Sequence, residues 1–335
     1  MFSLGGTIAS TTAGDRSSGV TPQLNARDLV TAIPELSDVA EVVAVTFRQI
    51  PSGDLTLSDL VELASAIDES FDAGTDGVVV TQGTDTVDET SFALDLLVGS
   101  TRPVVVTGAM RNPTLPGADG PANILASARV AASSDAVGLG TLVVLNDEIH
   151  AARFVRKTNT SSPSTFHSPT CGPLGWIVED RVRLVFRVAP LARIAPPTPS
   201  SIPAVALVKC SLGDDARFID QIASLGYGGA VIEAFGGGHV PARLVPSLES
   251  LATRVPVVLA SRTGSGEVLS ATYGFAGSER DVLSRGLISS GALDGTKARV
   301  LLSLVLSSEP DLLGARATFE RAVESITSWN ATRNA

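Results

Sequence analysis

Cysteine and histidine are scarce in this chain: two of the first (Cys171 and Cys210) and three of the second (His150, His167 and His239) among 335 residues. The cysteines stand far apart and in no metal-binding spacing, so they read as two buried free thiols rather than a disulfide framework. The histidines complete no ligand pattern, and no metal centre is expected. Basic residues are in deficit, 25 Lys and Arg against 35 Asp and Glu, for a net charge of −10. That excludes the basic footprint that general binding to nucleic acid or an anionic membrane requires. Long apolar runs are absent too, none approaching the roughly 20 residues that span a bilayer. Met1-Phe2-Ser3-Leu4 offers no basic region and no hydrophobic run before Gly5, so no signal peptide is read. The cytoplasm is the expected location, with an upstream start or a removed leader left open. Walker loops and a G-x-G-x-x-G after the first strand are missing as well, so a nucleotide cofactor is not expected.

What is present is ordinary globular chemistry, 44% hydrophobic and 18% charged, in a length that suits two domains. The clearest stretch runs from Gly77 to Leu97. Residues 77–80 read as a fully buried strand, 81–85 as a polar loop, and the remainder as a helix with Thr86 and Glu89 as its capping box. Similar units follow each other along the first half. Residues 25–33 predict a short helix and 41–47 a strand. Thr56 and Asp59 cap the next helix, 103–107 and 141–145 are buried strands, and 122–132 is a helix. Residues 11–24 carry Thr, Ser and Gly without periodicity and read as a mobile loop of the kind that forms a lid over a site. Residues 146–175 read as a long polar connection, and 176–188 as a hairpin turning at Glu179-Asp180. Four prolines in residues 196–203 mark a stiff linker. Beyond it, strands are expected near 204–208, 229–233 and 255–260, with helices near 215–225, 242–253, 295–306 and 310–329. The fold class is therefore α/β with two domains: a larger N-terminal doubly wound, mostly parallel sheet and a smaller C-terminal α/β domain. The boundaries read as 1–190, a Pro-rich linker 191–203, and 204–335.

In an open parallel sheet, ligands bind beyond the carboxyl ends of the strands. Three loops should converge there, carrying Thr7 after a Gly-Gly turn, Ser52 with Asp54, and Thr84 with Asp85, and a later loop adds Lys157. A threonine hydroxyl needs a base to take its proton, and a desolvated lysine is able to serve. Thr84, Lys157 and a carboxylate would form a hydroxyl–amine–acid relay. Asp85 suits a substrate ammonium and Ser52 a substrate carboxylate. Backbone N–H groups around Gly6 and Gly83 suit a developing oxyanion. Hydrolysis without a cofactor is the simplest chemistry that fits.

Leu4-Gly5-Gly6-Thr7-Ile8-Ala9, Thr81-Gln82-Gly83-Thr84-Asp85-Thr86 with Glu89-Thr90 following, Gly108-Ala109-Met110-Arg111 and Lys157-Thr158-Asn159-Thr160 resemble the bacterial-type L-asparaginase/glutaminase family. Asp119-Gly120-Pro121-Ala122-Asn123, Gly172-Pro173-Leu174-Gly175 and Lys297-Ala298-Arg299 extend the likeness through nearly the whole chain. The resemblance implies a two-domain amidohydrolase that releases ammonia from asparagine through an acyl-threonine intermediate. It also implies a homotetramer built as a dimer of dimers, with sites between domains of adjacent subunits. Carried over residue by residue, Thr7 is the primary nucleophile on the lid and Thr84 the second essential threonine. Lys157 is its base, Asp85 binds the substrate ammonium and Ser52 the α-carboxylate, with Gly53 and Gly83 beside them.

The chain also departs from the family pattern. Leu4 replaces a threonine before Gly-Gly. No tyrosine occurs in residues 8–30, where the lid tyrosine is expected; Ser18, Gly19 and Val20 stand near that place. Gly53 replaces a glutamine, and Phe235-Gly236-Gly237-Gly238-His239 lacks the usual asparagine. The acidic residue expected from the neighbouring subunit has no firm counterpart around Glu267, and Tyr273 falls about where it should lie. Tyr273 is the candidate to restore the missing hydroxyl. These changes leave asparagine as the expected substrate, with glutamine, a D-amino acid or another small amide as alternatives, and a non-catalytic amino-acid-binding protein as the reading from another class.

Overall fold

Runs of valine build the central sheet. The computed structural model describes residues 1–11 and 21–327, and the chain divides into two units, Met1–Arg193 and Ile194–Ala335. In the first, β1 (Phe2–Ser3) is followed by a small antiparallel pair, β2 (Ser10–Thr11) with β3 (Thr21–Pro22). Next come α1 (Ala26–Thr31), β4 (Val45–Thr46), α2 (Leu57–Asp72), β5 (Val78–Thr81), α3 (Val87–Leu97), β6 (Val104–Thr107), α4 (Gly120–Ala131) and β7 (Thr141–Leu145). The unit closes with β8 (Glu148–Ala151), the short pair β9 (Arg156–Lys157) and β10 (Phe166–His167), and the hairpin β11 (Gly175–Val178) and β12 (Arg181–Leu184).

The eight-stranded sheet has the order β12-β11-β8-β7-β6-β5-β1-β4. Strands β4, β1, β5, β6 and β7 are parallel, and β8, β11 and β12 are added antiparallel. Every residue of β5, β6 and β7 is buried, which is why their sequences are continuous apolar runs rather than alternating ones. Val79, Val105, Leu142 and Val144 share a core with Ala126, Val130 and Ala131 of α4. Each large aliphatic side chain buried in this way contributes about 1.5–3 kcal/mol. Contact there is close: a Cβ on Gly77 would lie 2.0 Å from the Ala131 carbonyl oxygen. Alternate strand residues point to the other face, where α3 lies against β6 and β7 and α2 packs on α3. Strand β1 sits between β4 and β5, so the chain leaves it in one direction and returns on its other side. That reversal is a topological switch point, where α/β sheets place ligands.

The second unit has four parallel strands in sequential order: β13 (Val205–Lys209), β14 (Gly229–Ala234), β15 (Val257–Ser261) and β16 (Ile288–Ser289). Helix α5 (Val245–Ala252) precedes β15, α6 (Glu279–Ser284) precedes β16, and α7 (Gly295–Ser308) and α8 (Leu312–Thr327) end the described chain. Ala206, Ile232 and Leu259 form a core with Leu248 and Leu251 of α5, while α7 packs along β13, β14 and β15. The chain is thus a two-domain α/β protein with a larger, mostly parallel N-terminal sheet and a smaller parallel C-terminal one.

Several local expectations are corrected. Residues 146–175 are not a structureless connection. Asn146 and Asp147 both have positive φ, 52° and 60°, and make the two-residue turn that returns β7 into β8; Asn and Asp tolerate that conformation best among side-chain-bearing residues. The helix expected at 215–225 shrinks to a tight turn at Ile219–Gln221. Only Ile219 and Ile222 of its apolar face are buried while Leu225 is 61% exposed, so little burial drives further turns. The strand expected at 41–47 is only Val45–Thr46, because its partner β1 is equally short. Thr86 does not cap α3, which begins after a tight turn at Thr84–Thr86.

Candidate active site

Four strand ends supply the site, and glycines let their loops touch. After β1, Gly6 has φ 80°, and a Cβ there would fall 2.0 Å from the Gly83 backbone nitrogen. The loops after β1 and β5 therefore stack backbone on backbone, a contact only glycine permits. A Cβ on Gly83 would in turn stand 2.7 Å from Ser52 Oγ, and one on Gly108, after β6, 3.0 Å from Thr84 Cγ2. The ladder continues upward: Leu4 N–H donates to the Thr81 carbonyl at 2.8 Å and Ile50 N–H to the Leu4 carbonyl at 3.1 Å.

Thr7 opens a tight turn, Thr7–Ala9, at the end of the β1 loop, and is half-buried. Ile8 anchors that turn in a core with Ile124 and Ala128 of α4, and the Ser10 hydroxyl donates to the Gly6 carbonyl at 2.8 Å. Of the expected lid, residues 11–24, Thr11 pairs with Thr21 in the β2–β3 ladder and the Gln23 and Leu24 N–H groups donate to the Ala9 carbonyl; Ser18 lies outside the described residues. Thr86, the failed cap, ties two loops together: its hydroxyl donates to the Ser52 carbonyl at 3.1 Å and accepts from Gln82 Nε2 at 3.3 Å. Ser52 is buried at 4% exposure. Gly53 is open, with nothing within 4 Å of an added Cβ.

The lysine arrives from β9. Its Nζ donates to Thr84 Oγ1 at 2.8 Å and to Asp85 Oδ1 at 2.6 Å. Thr84 is 6% exposed. The Lys157 side chain is 17% exposed, whereas that of Asp85 is 78% exposed. A carboxylate has capacity for more than one donor, so Asp85 is able to hold Lys157 and still receive a second cation from solvent. The arrangement supplies a hydroxyl in contact with an amine, a carboxylate beside both, and a second threonine on the loop that touches theirs. That combination suits nucleophilic attack and proton relay at an amide. Among the described residues, no three His, Cys, Asp or Glu side chains gather where they could hold a metal ion.

The second-unit candidates have different settings. Glu267 is exposed. The Tyr273 ring packs edge-on against His239 at 4.7 Å between centroids, and its N–H donates to Glu279 Oε1 at 2.7 Å. Glu279, which the sequence reading passed over, has a fully buried carboxylate 3.3 Å from His239 Nε2. Burial pushes that carboxyl up, but the N–H groups of Tyr273, Glu279 itself and Thr272, together with His239, outweigh this and hold it below its ordinary value. Its one sequence signal was Ser278, the N-cap of α6.

Comparison with known proteins agrees along the length of the chain. Residues 1–189 match the model of the asparaginase N-terminal domain and residues 204–319 that of the glutaminase/asparaginase C-terminal domain. An L-asparaginase of Bacillus licheniformis is 38% identical, over 92% of this chain and 95% of its own. A probable periplasmic L-asparaginase of Haemophilus influenzae is 35% identical, over 93% and 89%. The crystal structure of a probable cytoplasmic L-asparaginase from Campylobacter jejuni superposes with a TM-score of 0.83 at 31% identity, covering 95% of this chain and 97% of that one. With both family domains in order and the relatives covered nearly end to end, the chain belongs to the asparaginase family of amidohydrolases.

Proposed function

We propose that the chain hydrolyses the side-chain amide of L-asparagine to aspartate and ammonia through an acyl-threonine intermediate. The observation that carries this is Lys157 Nζ, 2.8 Å from the Thr84 hydroxyl and 2.6 Å from the Asp85 carboxylate. Thr7 attacks the amide carbon and the amide nitrogen leaves as ammonia, taking the proton that the hydroxyl gives up. Water then cleaves the ester, with Thr84 and Lys157 relaying its proton. A lysine accepts a proton only as the neutral amine. A substrate ammonium at Asp85 would take over that contact, and Lys157, once its excess proton has passed to solvent, would accept from Thr84. Ser52 holds the α-carboxylate, and N–H groups near Gly6 and Gly83 face the oxyanion. Tyr273 is the proposed source of the hydroxyl that residues 8–30 lack, so Tyr273→Phe is expected to slow ammonia release.

The open space at Gly53 favours a second reading, in which a longer amide such as glutamine is also accepted. Ammonia release measured over L- and D-asparagine, L-glutamine and simple amides tests both. The highest kcat/KM is expected for L-asparagine; a faster reaction with glutamine would replace the first reading with the second, and no release from any of them would overturn both. The reading includes a homotetramer acting in the cytoplasm, which sedimentation and cell fractionation test.

A further inference from the structure

The hairpin that carries Lys157 has its own fastening to the sheet, separate from the contacts of the lysine amine. Strand β9 pairs antiparallel with β10, Lys157 opposite Phe166 and Arg156 opposite His167. The hairpin is cross-linked internally: Thr158 N–H donates to the Thr165 carbonyl at 2.8 Å, and Asn159 N–H to Thr165 Oγ1 at 2.8 Å. Immediately after β10 stands Ser168, 4% exposed, and its Oγ lies 3.0 Å from Nδ1 of His150, which is fully buried on β8. On the preceding residue of β8, the Ile149 carbonyl accepts from Leu174 N–H at 2.7 Å. Both ends of the 168–174 return are thus held to β8. The other imidazole nitrogen, Nε2, is 3.2 Å from Glu148 Oε2.

We propose that His150 is a positioning residue: its hydrogen bond to Ser168 fixes the β9–β10 hairpin against β8 and so places the Lys157 amine on Thr84. The proposal rests on the reading of Lys157 as the base. Two buried polar groups share this bond, and removing either leaves the other unsatisfied. The hairpin then keeps its tie to α3, where the Lys157 N–H donates to Asp88 Oδ2 at 3.5 Å, but loses the side-chain fastening of Ser168 to β8. Small displacements of a catalytic group are costly, with about 1 Å able to cost about 100-fold in rate.

The test uses His150→Ala, His150→Asn, His150→Gln, Ser168→Ala and Lys157→Met in the full chain, with asparagine as substrate. The δ amide atoms of asparagine reach the place of Nδ1, whereas the ε amide atoms of glutamine reach that of Nε2. His150→Ala and Ser168→Ala should each lower kcat by about 10- to 100-fold with KM little changed, and the double variant should be no worse than either single. His150→Asn should restore most of the rate, and His150→Gln should not. Should His150→Ala fail to fold, Ser168→Ala and the Asn/Gln pair carry the test. Wild-type kcat in Ser168→Ala beside an inactive Lys157→Met, or rescue by Gln and not Asn, would overturn the clamp alone. Full activity in Lys157→Met would overturn the base reading on which it rests.

Discussion

Replacing Lys157 with methionine separates a catalytic lysine from a structural one, because the two predict opposite balances of activity and stability. The amine makes two short contacts, to Thr84 Oγ1 and Asp85 Oδ1. With the Asp85 side chain 78% exposed, the ion pair is largely screened and contributes at most about 1 kcal/mol to folding. Methionine preserves the apolar stem and adapts to irregular space. The melting temperature should therefore move by no more than about 4 °C. General-base catalysis, by contrast, is worth about 100- to 10,000-fold, or about 3–5 kcal/mol of barrier. Steady-state ammonia release from asparagine, measured beside a thermal melt, should show that loss in kcat with the fold intact. A fall in rate of less than tenfold, or one explained by lost folded protein, would refute the assignment.

Further outcomes follow from particular contacts. Gly6→Ala places a methyl at φ 80° and 2.0 Å from backbone, so left-handed strain and overpacking together should cost about 2–5 kcal/mol and abolish activity. Gly53→Ala, with open space around it, should melt as wild type does. Burial, with a further push from His167, lowers the His150 imidazole to about 4. Since the unfolded imidazole titrates near 6.5, the unfolded chain takes up that proton first, and stability should fall as pH drops from about 6.5 to 4, by up to about 3 kcal/mol. Denaturant titrations across that window should show the slope, and His150→Asn should flatten it.

How much of this was visible in the residues differs between levels. The parallel strands were legible because burial on both faces writes itself as valine runs, as at Val78–Val80 and Val104–Val106. The Thr56–Asp59 capping box was legible for the same local reason, and the structure forms it reciprocally. Contacts distant in sequence were not. Thr86 reads as a cap by spacing, yet its hydroxyl goes to the Ser52 carbonyl, 34 residues away in sequence. The β8 return and the Lys157 hairpin were missed because short strands leave little periodicity, and the Asn146-Asp147 turn was their one local signal. Thr84, Asp85 and Lys157 were named from residue chemistry and motif likeness, while their juxtaposition depends on β9 meeting the β5 loop. Glu279 was missed because a glutamate in the first turn of a short helix reads as a surface residue until the fold buries it.

The central claim is that two threonines on touching loops carry out the hydrolysis. Ammonia release from asparagine by Thr7→Ala and Thr84→Val, each verified as folded, tests it most directly. Each variant is expected to lose several orders of magnitude in kcat, and full activity in both would contradict the account.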